Sequence, residues 1–269
     1  MKQSPEIKKR VHFVDSYLLN PAHPVTVHVI GAGGTGSQAV TSLARIDASL
    51  RALNHPGLYV TVYDPDTVSE ANIGRQLFSE ADLEQNKAIA LVTRINRFFG
   101  TDWKAEPSCY PINATKPEEA ETANLIITCT DNVRSRLGIW RLLKKCRELT
   151  RTDHQTPLYW MDFGNSQKAG QVVIGNVRKK IKQPASEIYQ PVSTMEVITE
   201  YPGYSKVKEE DSGPSCSLAE ALDKQDLFVN SILAQLGCDI LWQMFREGIM
   251  PYRGLYLNLS TLRVNPIPV

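Results

Sequence analysis

The chain has 269 residues, enough to bury a large core as one α/β domain over 1–269, and its 30 Lys and Arg against 29 Asp and Glu leave a formal net charge of +1. That balance supplies no electrostatic footprint for nucleic acid or an anionic membrane surface, no apolar run approaches membrane-spanning length, and the polar start carries no signal core, so a cytoplasmic protein is expected. The five cysteines, at 109, 129, 146, 216 and 238, are odd in number and widely spaced with no Cys-x-x-Cys pair, which excludes a disulfide framework and a structural zinc site as expectations.

Residues 1–24 mix charge with Asn20-Pro21 and His23-Pro24 and read as an N-terminal arm holding one short amphipathic turn. The β-branched run Val25, Val27, Val29 and Ile30 predicts a buried strand that enters Gly31-Ala-Gly33-Gly34-Thr-Gly36-Ser37, after which a helix follows over 39–53. A second strand over 58–63 ends at Asp64-Pro-Asp66. Then come a helix over 87–99, a strand over 103–109, and a short apolar strand over 125–129 ending in Thr130-Asp131-Asn132. A helix over 133–146 and two strands over 158–163 and 171–177 continue the alternation. Residues 184–214 are rich in Pro, Gly and charge with little periodicity, and read as a lid or crossover loop. A long amphipathic helix over 217–248, its apolar stripe formed by Phe228, Ile232, Leu236, Ile240 and Trp242, leads to a closing strand through Leu255, Leu257 and Leu259. The alternation predicts a single α/β domain.

The glycine loop between strand and helix is a nucleotide-binding pattern, because Gly31, Gly33, Gly34 and Gly36 let the backbone approach a ligand while the helix start presents free N–H groups to phosphate. Taken alone, Gly31-x-Gly33-x-x-Gly36 also fits a dinucleotide fingerprint, and a nicotinamide enzyme needs only these glycines and Asp64. The residues hydride chemistry cannot use are Asn72, Arg75, Gln76, Lys87 and Asp131. Asp64 stands at a strand end where a carboxylate meets ribose; Asn72, Arg75, Gln76 and Lys87 follow as amides and cations suited to polyphosphate. Attack at an α-phosphate builds negative charge that fixed cations in a dry site stabilise strongly. Asp131 suits magnesium, which takes a carboxylate together with phosphate oxygens and water.

In these residues the chain resembles the ThiF/MoeB superfamily, the adenylating enzymes that activate ubiquitin-like and sulfur-carrier proteins. Gly31-Ala-Gly-Gly-Thr-Gly-Ser37, Asp64-Pro-Asp66, Asn72-Ile-Gly-Arg75-Gln76, Lys87 and Cys129-Thr-Asp131-Asn132 occur in the family's order, over about residues 25–245. The resemblance implies ATP against the glycine loop at Gly34, ribose on Asp64, phosphates on Asn72, Arg75 and Lys87 beside Gln76 and Asn132, and magnesium on Asp131. It further implies a Rossmann-like sheet extended by antiparallel strands, a homodimer, and a partner that is a small ubiquitin-like carrier with a C-terminal glycine. Within the superfamily the chain looks most like the ThiF-family members of plasmid-borne PRTRC systems. Departures from the family pattern are the missing zinc-binding Cys pairs, an Arg75-to-Lys87 spacing about one residue short, Asn86 where many members have a nearby Gly, and no N-terminal Arg-Tyr-x-Arg-Gln. These departures keep open a scaffold that retains the nucleotide fold without the activity.

Several residues carry a plainer reading beside the functional one. Asp66 reads as a turn cap rather than a ligand, and Asp131 with Asn132 also reads as the N-cap of the next helix. The five histidines form no ligand pair and read as structural, and Cys129 and Cys238 read as packing residues. Cys216, in Ser212-Gly-Pro-Ser-Cys216-Ser217 just before the last predicted helix, reads either as a small packing residue or as the cysteine that takes the activated acyl group, as a cysteine in a comparable crossover does in several members.

Overall fold

A computed structural model describes residues 8–113, 122–149, 152–206 and 225–269. The β-branched run after the arm forms β2 (Val25–Ile30), and it pairs in parallel with β3 (Leu58–Tyr63) on one side and β5 (Leu125–Thr128) on the other. β4 (Lys104–Glu106) and β6 (Tyr159–Asn165) extend the parallel part outwards, and β7 (Ala169–Asn176), β10 (Tyr252–Asn258) and β11 (Arg263–Pro268) add antiparallel strands beyond β6. The order is β11-β10-β7-β6-β5-β2-β3-β4. This is the mainly parallel, Rossmann-like sheet with an antiparallel extension that the sequence predicts.

Strand alternation decides which face each side chain joins. Val27, Val29 and Ile127 enter an apolar cluster with α2 (Gly34–Ala52), α3 (Lys87–Phe99) and α5 (Val229–Glu247), whereas Ile30, Ile126 and Trp160 point to the other face and pack on α4 (Val133–Cys146). α3 and α4 are each started by an Asn: the Asn86 side chain accepts from Ile89 N and the Asn132 side chain from Ser135 N. α3 and α5 stop at Gly100 and Gly248, whose φ of 70° and 65° only glycine adopts without strain.

The structure refines four sequence expectations. The short turn expected in the arm is α1 (Ser16–Leu19), with Leu18 fully buried, and before it stands an unexpected strand, β1 (Lys9–Phe13), paired in parallel with β8 (Tyr189–Pro191) and antiparallel with β9 (Ile249–Met250). The described part of 184–214, read as a lid or crossover loop, supplies β8 and buries Met195, Val197 and Ile198. The last helix is described over Val229–Glu247, and its inward face is Val229, Leu233, Ala234, Gly237, Cys238, Leu241, Met244 and Phe245, leaving Phe228 60% and Ile232 37% exposed. Large residues fill most of that face, and the closest approach to β6 and β7 falls at Gly237, where a Cβ would overlap the Phe163 ring and stand 3.2 Å from Val172. Finally, β11 lies outside the predicted closing strand; Pro266 and Pro268 argue against a strand in sequence, yet an edge position tolerates them.

His28 is the one histidine inside the main sheet, 5% exposed between the Tyr63 and Tyr110 rings. Burial, aided by the charge of Lys104, pushes its pKa down to about 4. The folded chain therefore binds fewer protons than the unfolded chain between about pH 6.5 and pH 4, so this residue's contribution falls as pH drops through that window, by about 3 kcal/mol in all. Urea titrations across this range should show a steep loss of stability in the wild type and a shallower one in His28→Gln. Parallel slopes for the two would refute the assignment.

Candidate functional site

In this sheet the chain runs outward from β2 through β3 to β4 and then crosses to β5 on the other side of β2. Strand order reverses there, and open α/β sheets bind ligands at the carboxyl ends of the strands at such a point. A crevice of about 950 Å³ lies at that edge, lined by the glycine loop after β2, the Asp64 turn after β3, the 108–113 loop after β4 and the 129–132 turn after β5.

The glycines divide the work. Gly31 has φ +96°, and a Cβ there would stand 2.9 Å from the Cys129 carbonyl oxygen, so the loop passes flush against the end of β5. Gly36 does not line the crevice; a Cβ on it would overlap the Gly31 carbonyl, so it seats α2 on the loop. Gly33 and Gly34 do line it. Unlike α3 and α4, which are capped by Asn86 and Asn132, α2 has no side-chain cap, and its first turn holds no acid. Its first N–H groups and its positive dipole end are thus available to an anion in the crevice.

Asp64 is 5% exposed, and its carboxylate accepts from Ala32 N at 2.6 Å and Asp66 N at 2.9 Å, which ties the end of β3 to the glycine loop. Burial pushes its pKa up, opposed by those two N–H donors and by Lys87. Lys87, the first residue of α3, is 8% exposed and its Nζ meets the Asp66 carboxylate at 3.1 Å. Asp66 is therefore an orienting partner of Lys87 as well as a turn residue. Arg75 is half-buried, forms no ion pair among the described residues, and has its pKa lowered by burial; its Nη1 donates to Gln225 Oε1 at 2.8 Å. Beside the crevice, Arg75 Nε, Gln76 Oε1 and Thr130 Oγ1 are buried with no hydrogen-bond partner among the described residues.

Two predicted residues sit differently from their neighbours. Asn72 does not line the crevice: its Oδ1 accepts from Ser69 N and Ser69 Oγ, a capping box on a short 3-10 turn, so it shapes the chain segment that delivers Arg75 and Gln76. Asp131 is exposed at the crevice rim and accepts from Asn132 Nδ2 at 3.0 Å. The capping oxygen of α4 belongs to Asn132 alone, which leaves the Asp131 carboxylate open to the crevice. Among the described residues no cluster of three His, Cys, Asp or Glu could enclose a metal. Cys216 lies outside the described residues.

Sequence reasoning missed the frame behind these groups. Arg136 on α4, 8% exposed, donates to the Asp162 carboxylate at 2.7 Å and to the Thr130 and Phe163 carbonyls at 2.7 and 2.8 Å. It clamps the ends of β5 and β6 at the crevice floor. Asn230, Asn165, Thr35 and Gln225 form a polar chain across the mouth. Neither set has a spacing signal, because each joins residues from different elements.

Fold and crevice together define an open, doubly wound α/β protein built to hold a phosphate-bearing ligand at its strand ends. The chain belongs to the ThiF family, whose model matches residues 11–263. Comparison with curated protein sequences gives no match. Among solved structures it is similar to PaaA, with TM-score 0.59, 15% identity and coverage of 91% of this chain and 64% of that one. It is also similar to E. coli MccB solved with ATP, with TM-score 0.55, 13% identity and coverage of 93% and 64%. MccB in complex with N-formylated MccA gives TM-score 0.53, 13% identity and coverage of 91% and 64%. At these identities the likeness is one of fold, and this chain spans about 64% of the length of these proteins. No helix among the described residues is long and apolar enough to cross a membrane.

Proposed function

We propose that this chain adenylates the C-terminal glycine of a small ubiquitin-like or sulfur-carrier-like protein at the expense of ATP, working as a homodimer. The observation that carries the reading is the pair of buried donors at the crevice without a partner among the described residues, Arg75 Nε and Thr130 Oγ1, beside Lys87 and an uncapped helix start. Buried donors are normally satisfied, so a polyanionic ligand accounts for them, while the equally unpaired Gln76 Oε1 is an acceptor and calls for a donor such as a ligand hydroxyl or amine. The ThiF family membership supports ATP as that ligand, and the PRTRC placement rests on the sequence resemblance.

In the reaction a glycine carboxylate oxygen attacks the α-phosphorus of ATP, the α–β phosphoanhydride bond breaks, and pyrophosphate leaves with its electron pair. Asp64 orients the ribose hydroxyls. The N–H groups that open α2, with Arg75 and Lys87, stabilise the charge that grows on the phosphate oxygens and the leaving group, and fixed donors in a dry site do this without reorganising. Magnesium, when bound, would neutralise phosphate charge, and Asp131 fits it because its carboxylate is open to the crevice and the ion takes its other ligands from phosphate and water. Fluorescence titration with ATP plus magnesium against NADH tests the nucleotide assignment: ATP should saturate the chain and NADH should not, and the reverse order would favour an oxidoreductase.

Asp131→Asn tests the magnesium assignment. Since Asn132 does the capping, this substitution should leave the melting temperature within a degree or two while pyrophosphate exchange falls at least tenfold. Early melting with normal turnover would make Asp131 structural.

We propose further that the Cys216 thiolate attacks the carbonyl carbon of the acyl-adenylate, so that a thioester C–S bond forms while the acyl–phosphate bond breaks and AMP leaves. Burial pushes the thiol of Cys129 well up and that of Cys238 up to about 12, so neither serves as a thiolate near neutral pH. Brief iodoacetamide labelling mapped by mass spectrometry should find Cys216 alkylated faster than Cys129 and Cys238. A Cys216→Ser variant that still completes carrier transfer at the wild-type rate would remove the covalent step and leave adenylation intact.

A further inference from the structure

Arg75 reaches the crevice on a chain of hydrogen bonds whose polarity it sets itself. A guanidinium has only donors, so Gln225 must turn its carbonyl oxygen towards it, and Gln225 Oε1 accepts from Arg75 Nη1 at 2.8 Å. The same oxygen accepts from Asn230 Nδ2 at 2.8 Å, which leaves Asn230 Oδ1 to accept from Thr35 Oγ1 at 2.9 Å and from Asn165 Nδ2. Asn230, 2% exposed on the first turn of α5, thus joins the glycine-loop helix, the end of β6 and Arg75. Gly34 has no side chain because the Asn230 amide occupies the place a Cβ would take.

The chemistry of the acceptor is informative. A carboxylate at position 225 would hold the guanidinium more strongly, but it would also cancel the charge that phosphate needs. Lys87 has such a carboxylate partner in Asp66, 65% exposed at its side chain and so partly screened by water. Arg75 has a neutral amide and, among the described residues, no ion pair. Its Nε has no partner among the described residues.

We propose that Gln225 is a positioning residue that holds Arg75 over the phosphate end of the crevice through a neutral contact, so that the full guanidinium charge is kept for the polyphosphate. The inference rests on the nucleotide reading above. It makes Gln225, 150 residues from Arg75 in sequence, a determinant of affinity for the charged part of the ligand and not for the nucleoside.

Gln225→Glu tests it, because the carboxylate matches the amide in size and still accepts from both Arg75 and Asn230. Calorimetric titration of the full chain should show ATP with magnesium binding roughly tenfold or more weakly than in the wild type, a change of about 1.4 kcal/mol. Adenosine, which has no phosphate, should bind both forms equally, and the melting temperature should not fall. Gln225→Met, which deletes the acceptor without adding charge, should weaken ATP binding less than Gln225→Glu does. A merely structural contact would tolerate Glu, so equal ATP affinity in wild type and Gln225→Glu, or an equal loss for ATP and adenosine, overturns the inference alone. A wild-type chain that binds neither ATP nor adenosine overturns the nucleotide reading and this inference with it.

Discussion

Arg75→Ala is expected to lower pyrophosphate exchange by about thirtyfold to a thousandfold, about 2 to 4 kcal/mol of barrier, while the fold survives. The size follows from the role. Arg75 is a half-buried cation with a neutral neighbour, and its Nε has no partner among the described residues. Its removal costs the fold one hydrogen bond to Gln225, on the order of 1 kcal/mol, and deletes a charge that matters most when negative charge accumulates in the transition state. Far-ultraviolet circular dichroism and a melting curve check the fold, and exchange kinetics check the barrier. Exchange at the wild-type rate would show that the phosphates lie elsewhere.

Arg136→Ala should do the opposite, unfolding the site frame by about 3 to 5 kcal/mol. It removes one partner of a buried ion pair, leaving Asp162, 1% exposed and with Oδ2 already unsatisfied, without a cation. It also releases the Thr130 and Phe163 carbonyls from Arg136. For a chain of this length the midpoint of thermal unfolding should drop by about 10 °C. The double variant Arg136→Met with Asp162→Leu removes both charges and should recover part of the loss, because two apolar side chains leave no buried charge unpaired. A single variant that melts within a degree of the wild type would show that the pair contributes little.

The contrast between these two arginines marks what sequence can reveal. Arg75 was legible because it sits in a short local pattern with Asn72 and Gln76, and Asp64 because it ends an apolar run. The β2-loop-α2 unit was legible for the same reason: a β-branched run, four glycines and a helical period are neighbours along the chain. Arg136 was not, since its partners Asp162 and Phe163 lie on another strand, and Asn230 and Gln225 are ordinary polar residues until α5 docks beside the glycine loop. The short turn of the arm was legible, but its strand β1 was not, for a related reason. Lys9 pairs with Tyr189 and Phe13 with Ile249, and no local period records partners so distant. The α5 stripe was only partly legible: Leu236, Ile240 and Trp242 pack on the core, but Phe228 and Ile232 stay exposed because the fully buried face is centred on Leu233, Gly237, Leu241 and Met244, and with apolar residues all round the helix the period alone does not choose between the two faces. Asn72 shows a subtler limit: its position was legible, but its side chain closes a capping box instead of lining the crevice.

The most direct test of the central claim is exchange of labelled pyrophosphate into ATP in the presence of small ubiquitin-like proteins that end in glycine. Adenylation is reversible until the acyl group moves on, so a chain that activates a carboxylate must exchange label, and must do so only when the correct carrier is present. Label should enter ATP with an intact carrier and magnesium, and should stop when the terminal glycine is deleted. Exchange without any carrier, or tight ATP binding with no exchange in the presence of any glycine-ending candidate, would contradict the account and leave a nucleotide-binding scaffold in its place.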